Sequence, residues 1–190
     1  TFLNLIKGSA VLQSMRLGST FFGTRGQFKA ENAEVKKNKV ILSKSVKHGY
    51  FQPFPEDKIP GDGVYSKMPR ELRRLTEPQV INYLITITFL DKRATVDIKV
   101  TGTDNVLVSL EMNFRKGGKF SGVITDKNRS DSYFLKEGYG TYTKDGSVIN
   151  FGPGKIEHQW GTMRGMDEKP YGNTVYINGH TPFKHTLEIY

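Results

Sequence analysis

Residues 80–114 constrain the fold of this chain more than any other stretch. Along Val80–Leu90 one face reads Ile81, Tyr83, Ile85, Ile87 and Phe89, and the other carries Asn82, Thr86 and Thr88. Asp91-Lys92-Arg93 turns the chain into Ala94, Val96, Ile98 and Val100, alternating with Thr95, Asp97, Lys99 and Thr101. After Gly102-Thr103-Asp104-Asn105 a third run sets Val106, Val108, Leu110, Met112 and Phe114 against Ser109, Glu111 and Asn113. Successive side chains of a strand point to opposite faces, so period-two alternation rich in β-branched residues specifies strands. The spacing predicts three antiparallel strands in a meander, each the neighbour of the next.

Shorter runs extend the pattern. Val40–Val46, Gly138–Tyr142, Ser147–Phe151, Ile156–Trp160, Thr174–Ile177 and His185–Tyr190 read as strands. The Asp145-Gly146 pair between two of them is a hairpin signal. Twenty glycines and eight prolines punctuate the runs at the spacing of a sandwich or barrel. The only helical candidate is Met68–Leu75, with Pro69 suited to a first turn and Pro78 to a stop. It lies inside a proline-rich stretch, Gln52 to Gln79, and a connection of that length in a compact domain is usually functional or covers a sheet edge. The fold expected is all-β: an antiparallel β-sandwich or jelly roll with at most one short helix, with closure into a barrel left open.

A chain of 190 residues fits one domain and can bury roughly 70% of its unfolded surface, so it needs no staple. Only 36% of it is hydrophobic, so the 12% that is aromatic has to supply much of the core. It has no cysteine, which excludes disulfides, thiolate catalysis and Cys-ligated metals. No apolar run approaches a membrane span, and nucleic acid is disfavoured because the strands present Thr, Asn and Ser rather than interleaved basic and aromatic residues. Its 28 Lys and Arg against 19 Asp and Glu give +9, which favours an anionic partner such as an acidic polysaccharide. The opening Thr1-Phe2-Leu3-Asn4 reads as a mature or excised piece, the C-terminal part of a larger protein.

The densest cluster of candidate side chains is Phe151–Gly165. On a strand, His158 and Trp160 share one face, with Arg164 just beyond; the indole would stack on a pyranose while His158 and Arg164 donate to hydroxyls or a carboxylate. A lone Trp is more often a core anchor than a displayed platform, with His158 then a satisfied neighbour, and both readings stay open. Tyr139 or Tyr142 would offer a second stacking platform. Arg70, Arg73 and Arg74 of the long loop could grip carboxylates or sulfates bidentately, with the loop as a wall of the site, or could face another domain. His180 and His185 lack metal-ligand spacing, so neither a metal nor a cofactor is expected, and no catalytic residue is assigned.

Four stretches carry a family resemblance: Ser109–Gly122 (SLEMNFRKGGKFSG), Tyr133–Tyr142 (YFLKEGYGTY), Phe151–Trp160 (FGPGKIEHQW) and Gly179–Glu188 (GHTPFKHTLE). They resemble the C-terminal β-rich region of bacterial heparinase II/III-like polysaccharide-degrading proteins. In that family the lyase chemistry lies mainly in a helical toroid domain, which this chain does not contain. The resemblance therefore implies a secreted or periplasmic, non-catalytic accessory domain, for carbohydrate binding or scaffolding, whose partner is the catalytic domain of its parent. Glu157-His158-Gln159-Trp160-Gly161 is also similar to a motif of lipocalin-like proteins related to tocopherol cyclase and carotenoid hydratase. That alternative implies a β-barrel around a hydrophobic small molecule, bound or isomerised or hydrated there.

Overall fold

A computed structural model describes residues 1–162 and 166–190. Among the described residues fourteen strands form: β1 Leu3–Lys7, β2 Ala10–Ser19, β3 Asn32–Lys36, β4 Lys39–Phe51, β5 Leu75–Phe89, β6 Ala94–Gly102, β7 Leu107–Phe114, β8 Lys119–Ser121, β9 Ile124–Asp126, β10 Arg129–Phe134, β11 Gly140–Lys144, β12 Ser147–Gly152, β13 Asn173–His180 and β14 Phe183–Ile189. They make two sheets, one ordered β1-β2-β7-β13-β10-β9 and the other β3-β4-β5-β6-β14-β12-β11-β8. Every pairing is antiparallel except β10 with β13. The all-β sandwich expected from the alternation is what forms. The barrel of the second resemblance does not: β1, β9, β3 and β8 are outer strands of two open sheets.

The alternating residues fill the space between the sheets. Ile81, Tyr83, Ile85, Ile87, Val96, Ile98 and Val100 from one sheet meet Leu17, Met15, Leu110, Met112, Val175 and Ile177 from the other, each at most 2% exposed. At one end the packing is aromatic. The Phe114 ring lies 5.0 Å from that of Tyr142, 5.1 Å from Phe151 and 5.3 Å from Phe120. Tyr142 is wholly buried and donates its hydroxyl to the Arg115 carbonyl, so it offers no face to a ligand, and its expected role as a stacking platform is corrected.

The meander is corrected as well. β5 and β6 pair over Ile81–Phe89, but β6 takes β14 as its other neighbour, and β7 lies in the opposite sheet between β2 and β13. The chain crosses at Gly102, whose φ of +118° suits glycine; a Cβ there would stand 2.2 Å from the Val80 carbonyl oxygen. Turn composition marks that a strand ends, and does not say which sheet receives the next one.

No α-helix forms over Met68–Leu75. A single 3-10 turn, Arg70–Leu72, is followed at once by β5, because Leu75 and Thr76 pair with Phe51 and Tyr50. Pairing overrides the local helical preference. The hairpin of β4 and β5 therefore extends past the sheet as an arm, with residues 52–74 at its tip. Among the described residues no helix is long and apolar enough to cross a membrane.

Candidate functional site

The polar half of the β7 alternation does not face water. Ser109, Glu111 and Asn113 are at most 3% exposed, as are Ser14, Ser132, Thr174 and Asn178 on neighbouring strands. The described residues between β12 and β13, 153–162 and 166–172, lie across this face as a strap. Buried polar groups demand partners. Ser109 donates to Asn178 and Asn113 to Thr174 within the sheet, the strap serves Asn178 and Arg16, and the Ser14 hydroxyl alone is left without a partner among the described residues. The Asn178 side-chain amide donates to the carbonyls of His158 (2.9 Å) and Trp160 (3.2 Å), and its backbone exchanges bonds of 3.0 Å with Lys155 and Glu157. Further along, Arg16 Nη1 donates to the Asp167 carbonyl at 2.6 Å and Gln13 to that of Tyr171 at 2.9 Å.

Arg16 is the anchor of this face. Its Nε and Nη2 reach Glu111 Oε2 at 2.9 and 2.6 Å, with side chains 8% and 4% exposed, respectively. Register places Arg16, Glu111 and Tyr176 side by side on β2, β7 and β13. Burial raises the Tyr176 hydroxyl well above the ordinary tyrosine value, with Glu111 adding to the shift. Lys169 of the strap donates to that hydroxyl at 3.2 Å; burial, and then Arg129, lower its own pKa.

His158 and Trp160 do not sit on a strand. Only Ile156 bridges to Asn178, and beyond it the strap runs without ladder pairing, which corrects the expected strand 156–160. The two side chains diverge. Trp160 is 56% exposed and is not the core anchor. The His158 ring turns inward: Nδ1 accepts the Trp160 backbone N–H at 3.3 Å, so the proton resides on Nε2, which donates to the Val108 carbonyl at 3.0 Å. Both nitrogens are thus occupied in the neutral form. Burial lowers the His158 pKa, with the neighbouring His180 a smaller cause. The His180 ring lies 5.3 Å from it. Glu157 accepts from the His180 backbone N–H (2.8 Å) and Nδ1 (3.2 Å) and pairs with Lys155 Nζ at 2.8 Å. Lys155 and the His180 bonds hold the carboxyl below its usual range. Kept ionised, it is poorly suited to deliver a proton.

The other candidates are dispersed. Tyr139, 48% exposed, donates to Glu188 at 3.2 Å on the β12–β14 side. Arg73 is stacked 5.0 Å from the rings of both Phe51 and Phe54 and donates to the Gln52 carbonyl at 2.7 Å; Arg70 lies 5.6 Å over Tyr65, and Arg74 is exposed. These arginines belong to the arm, and no hydrogen bond, ion pair or ring contact joins them to Trp160 among the described residues. Arg164 lies outside the described residues.

Sequence reasoning missed Arg16, Glu111, Tyr176 and Lys169. A charged pair on strands with a buried opposite face was the available signal. Comparison with known protein families, with curated proteins and with solved structures finds no match to this chain. Fold and site together define a two-sheet β-sandwich whose outer polar face is closed by a strap that displays a tryptophan.

Stability is expected to fall as the solution is acidified, because histidines are held neutral. Burial lowers the pKa of His48, His158 and His185 from the ordinary 6.5. The unfolded chain then binds more protons than the folded one below 6.5, so their contribution is intact above that pH and is lost as pH falls through the folded values. Thermal unfolding followed from pH 7 to pH 5 should show a falling Tm. His158→Gln, which can still donate to Val108 and cannot titrate, should flatten the slope; an unchanged slope would contradict the His158 assignment.

Proposed function

We propose that this chain is a non-catalytic accessory module of a secreted or periplasmic protein that acts on polysaccharides, and that the strap is its contact with acidic glycan. The observation that carries the reading is Trp160: the only tryptophan of the chain, 56% exposed, on a segment fastened on either side of it to a rigid sheet. An indole held in this way can stack on a sugar without losing much conformational freedom on binding. Lys155 beside Glu157 supplies donors for hydroxyls or a carboxylate, and the +9 surface attracts polyanions. A core filled by aromatic side chains supports a binding or scaffold role over a barrel that encloses its ligand. The resemblance to heparinase II/III-like proteins supplies the substrate class and the catalytic domain as partner. The exposed Val64, Tyr65 and Leu72 of the arm suit the surface that meets that domain.

The isolated chain is expected to bind uronate-containing oligosaccharides without cleaving them. Trp160→Ala should weaken binding about tenfold, the lower end of what loss of a stacking contact costs. Cleavage of acidic glycan by the isolated chain, or undiminished binding by Trp160→Ala, would overturn the reading.

A further inference from the structure

At the end of the sandwich where the chain crosses from β6 to β7, a cleft of about 450 Å³ opens between an aromatic wall and a polar turn. The wall is Phe22 and Tyr50, with ring centroids 5.2 Å apart and Tyr50 55% exposed. Phe22 holds a left-handed backbone, φ 44° and ψ 53°, which a bulky residue rarely adopts. Facing it, Asp104 and Asn105 present a carboxylate and an amide, neither of which has a side-chain partner among the described residues. The turn is rigid. Asn105 N–H donates to the Thr181 carbonyl at 2.9 Å, Val106 N–H to the Thr181 hydroxyl at 2.9 Å, and that hydroxyl to the Thr103 carbonyl at 2.6 Å. Thr103 in turn donates to Gln79 Oε1 at 2.9 Å, and the Gln79 amide, which also lines the cleft, donates to the Glu77 carbonyl at 3.5 Å.

We propose that this cleft binds a neutral pyranose residue. An aromatic face is negative at its centre and draws the polarised C–H bonds of a sugar ring, while its hydroxyls need acceptors and donors around the edge. Tyr50 and Phe22 offer the first; Asp104, Asn105 and Gln79 offer the second. The Asp104 carboxylate accepts from hydroxyls and repels a uronate, so the cleft selects against the acidic sugars assigned to Trp160. Cleft and strap use different residues, and this inference does not rest on the Trp160 contact. Together they would grip a chain of mixed neutral and acidic sugars at two points.

The test is calorimetric titration of the full chain with neutral β-linked gluco-, manno- and xylo-oligosaccharides, and in parallel with a uronate oligosaccharide. At least one neutral series is expected to bind. Tyr50→Ala and Asp104→Ala should each weaken it about tenfold or more, and Phe89→Ala, at an exposed residue outside both cleft and strap, should leave it unchanged. Both substituted side chains are exposed, so Tm should stay at the wild-type value. The proposal is overturned if no neutral series binds at millimolar concentration, or if binding survives both Tyr50→Ala and Asp104→Ala. Binding of the uronate alone, lost in Trp160→Ala, would overturn the cleft and leave the strap reading standing.

Discussion

Replacing Glu111 with alanine is expected to cost about 3–5 kcal/mol of stability, the range for breaking a buried ion pair by removing one partner. The Arg16 side chain is 8% exposed, so its guanidinium would keep its charge away from water with no carboxylate beside it. Its remaining bonds, from Nη1 to the Asp167 and Glu168 carbonyls at 2.6 and 3.3 Å, also fasten the strap. The loss should therefore reach Trp160 in function as well as lowering the urea midpoint. A double variant, Arg16→Met with Glu111→Leu, should recover much of the stability, because two apolar groups leave no charge unpaired. A Glu111→Ala midpoint within error of the parent would contradict the burial of this pair.

Phe114→Ala should cost a similar amount, about 3–5 kcal/mol, for a different reason. Phe114 is fully buried and spans both sheets, packing against Tyr142, Phe151 and Phe120 with centroids 5.0 to 5.3 Å away. Truncation leaves a cavity that neighbours on two rigid sheets can only partly close. Phe89 makes the control. It continues the apolar face of its own strand just as Phe114 does, yet it is 47% exposed, and Phe89→Ala should shift stability by about 1 kcal/mol or less. Chemical denaturation of the two variants measures the contrast, and equal losses would contradict the packing described.

That pair of phenylalanines marks where the sequence was legible. Alternation identified β4, β5, β6 and β7 because a half-buried strand must repeat every two residues, and shorter runs between turns marked β11, β12, β13 and β14. It could not say that β7 joins the other sheet, since a polar turn such as Gly102–Asn105 serves a hairpin and a crossover equally. Nor could it distinguish a polar face in water from one under a strap. Ser109, Glu111 and Asn113 carry the same pattern in either case, and only contact with residues more than 40 positions away decides it. Helical preference at Met68–Leu75 was real but local, and lost to pairing with β4. His158, Trp160 and Arg164 were grouped from adjacency in sequence, with a tyrosine as second platform and the loop arginines as a wall or an interdomain surface. The fold instead displays Trp160, turns His158 inward, buries Tyr142 and carries Arg70, Arg73 and Arg74 away on the arm.

The intrinsic fluorescence of Trp160 during titration with an acidic oligosaccharide tests the proposed contact most directly, because a single indole reports a single place. The free chain should emit as a water-exposed indole. Adding glycan should shift or quench that emission saturably, with an apparent affinity that weakens as salt is raised and screens the basic surface. Emission already blue-shifted before addition, or indifferent to glycan at any salt, would contradict the assignment of Trp160 as the glycan contact.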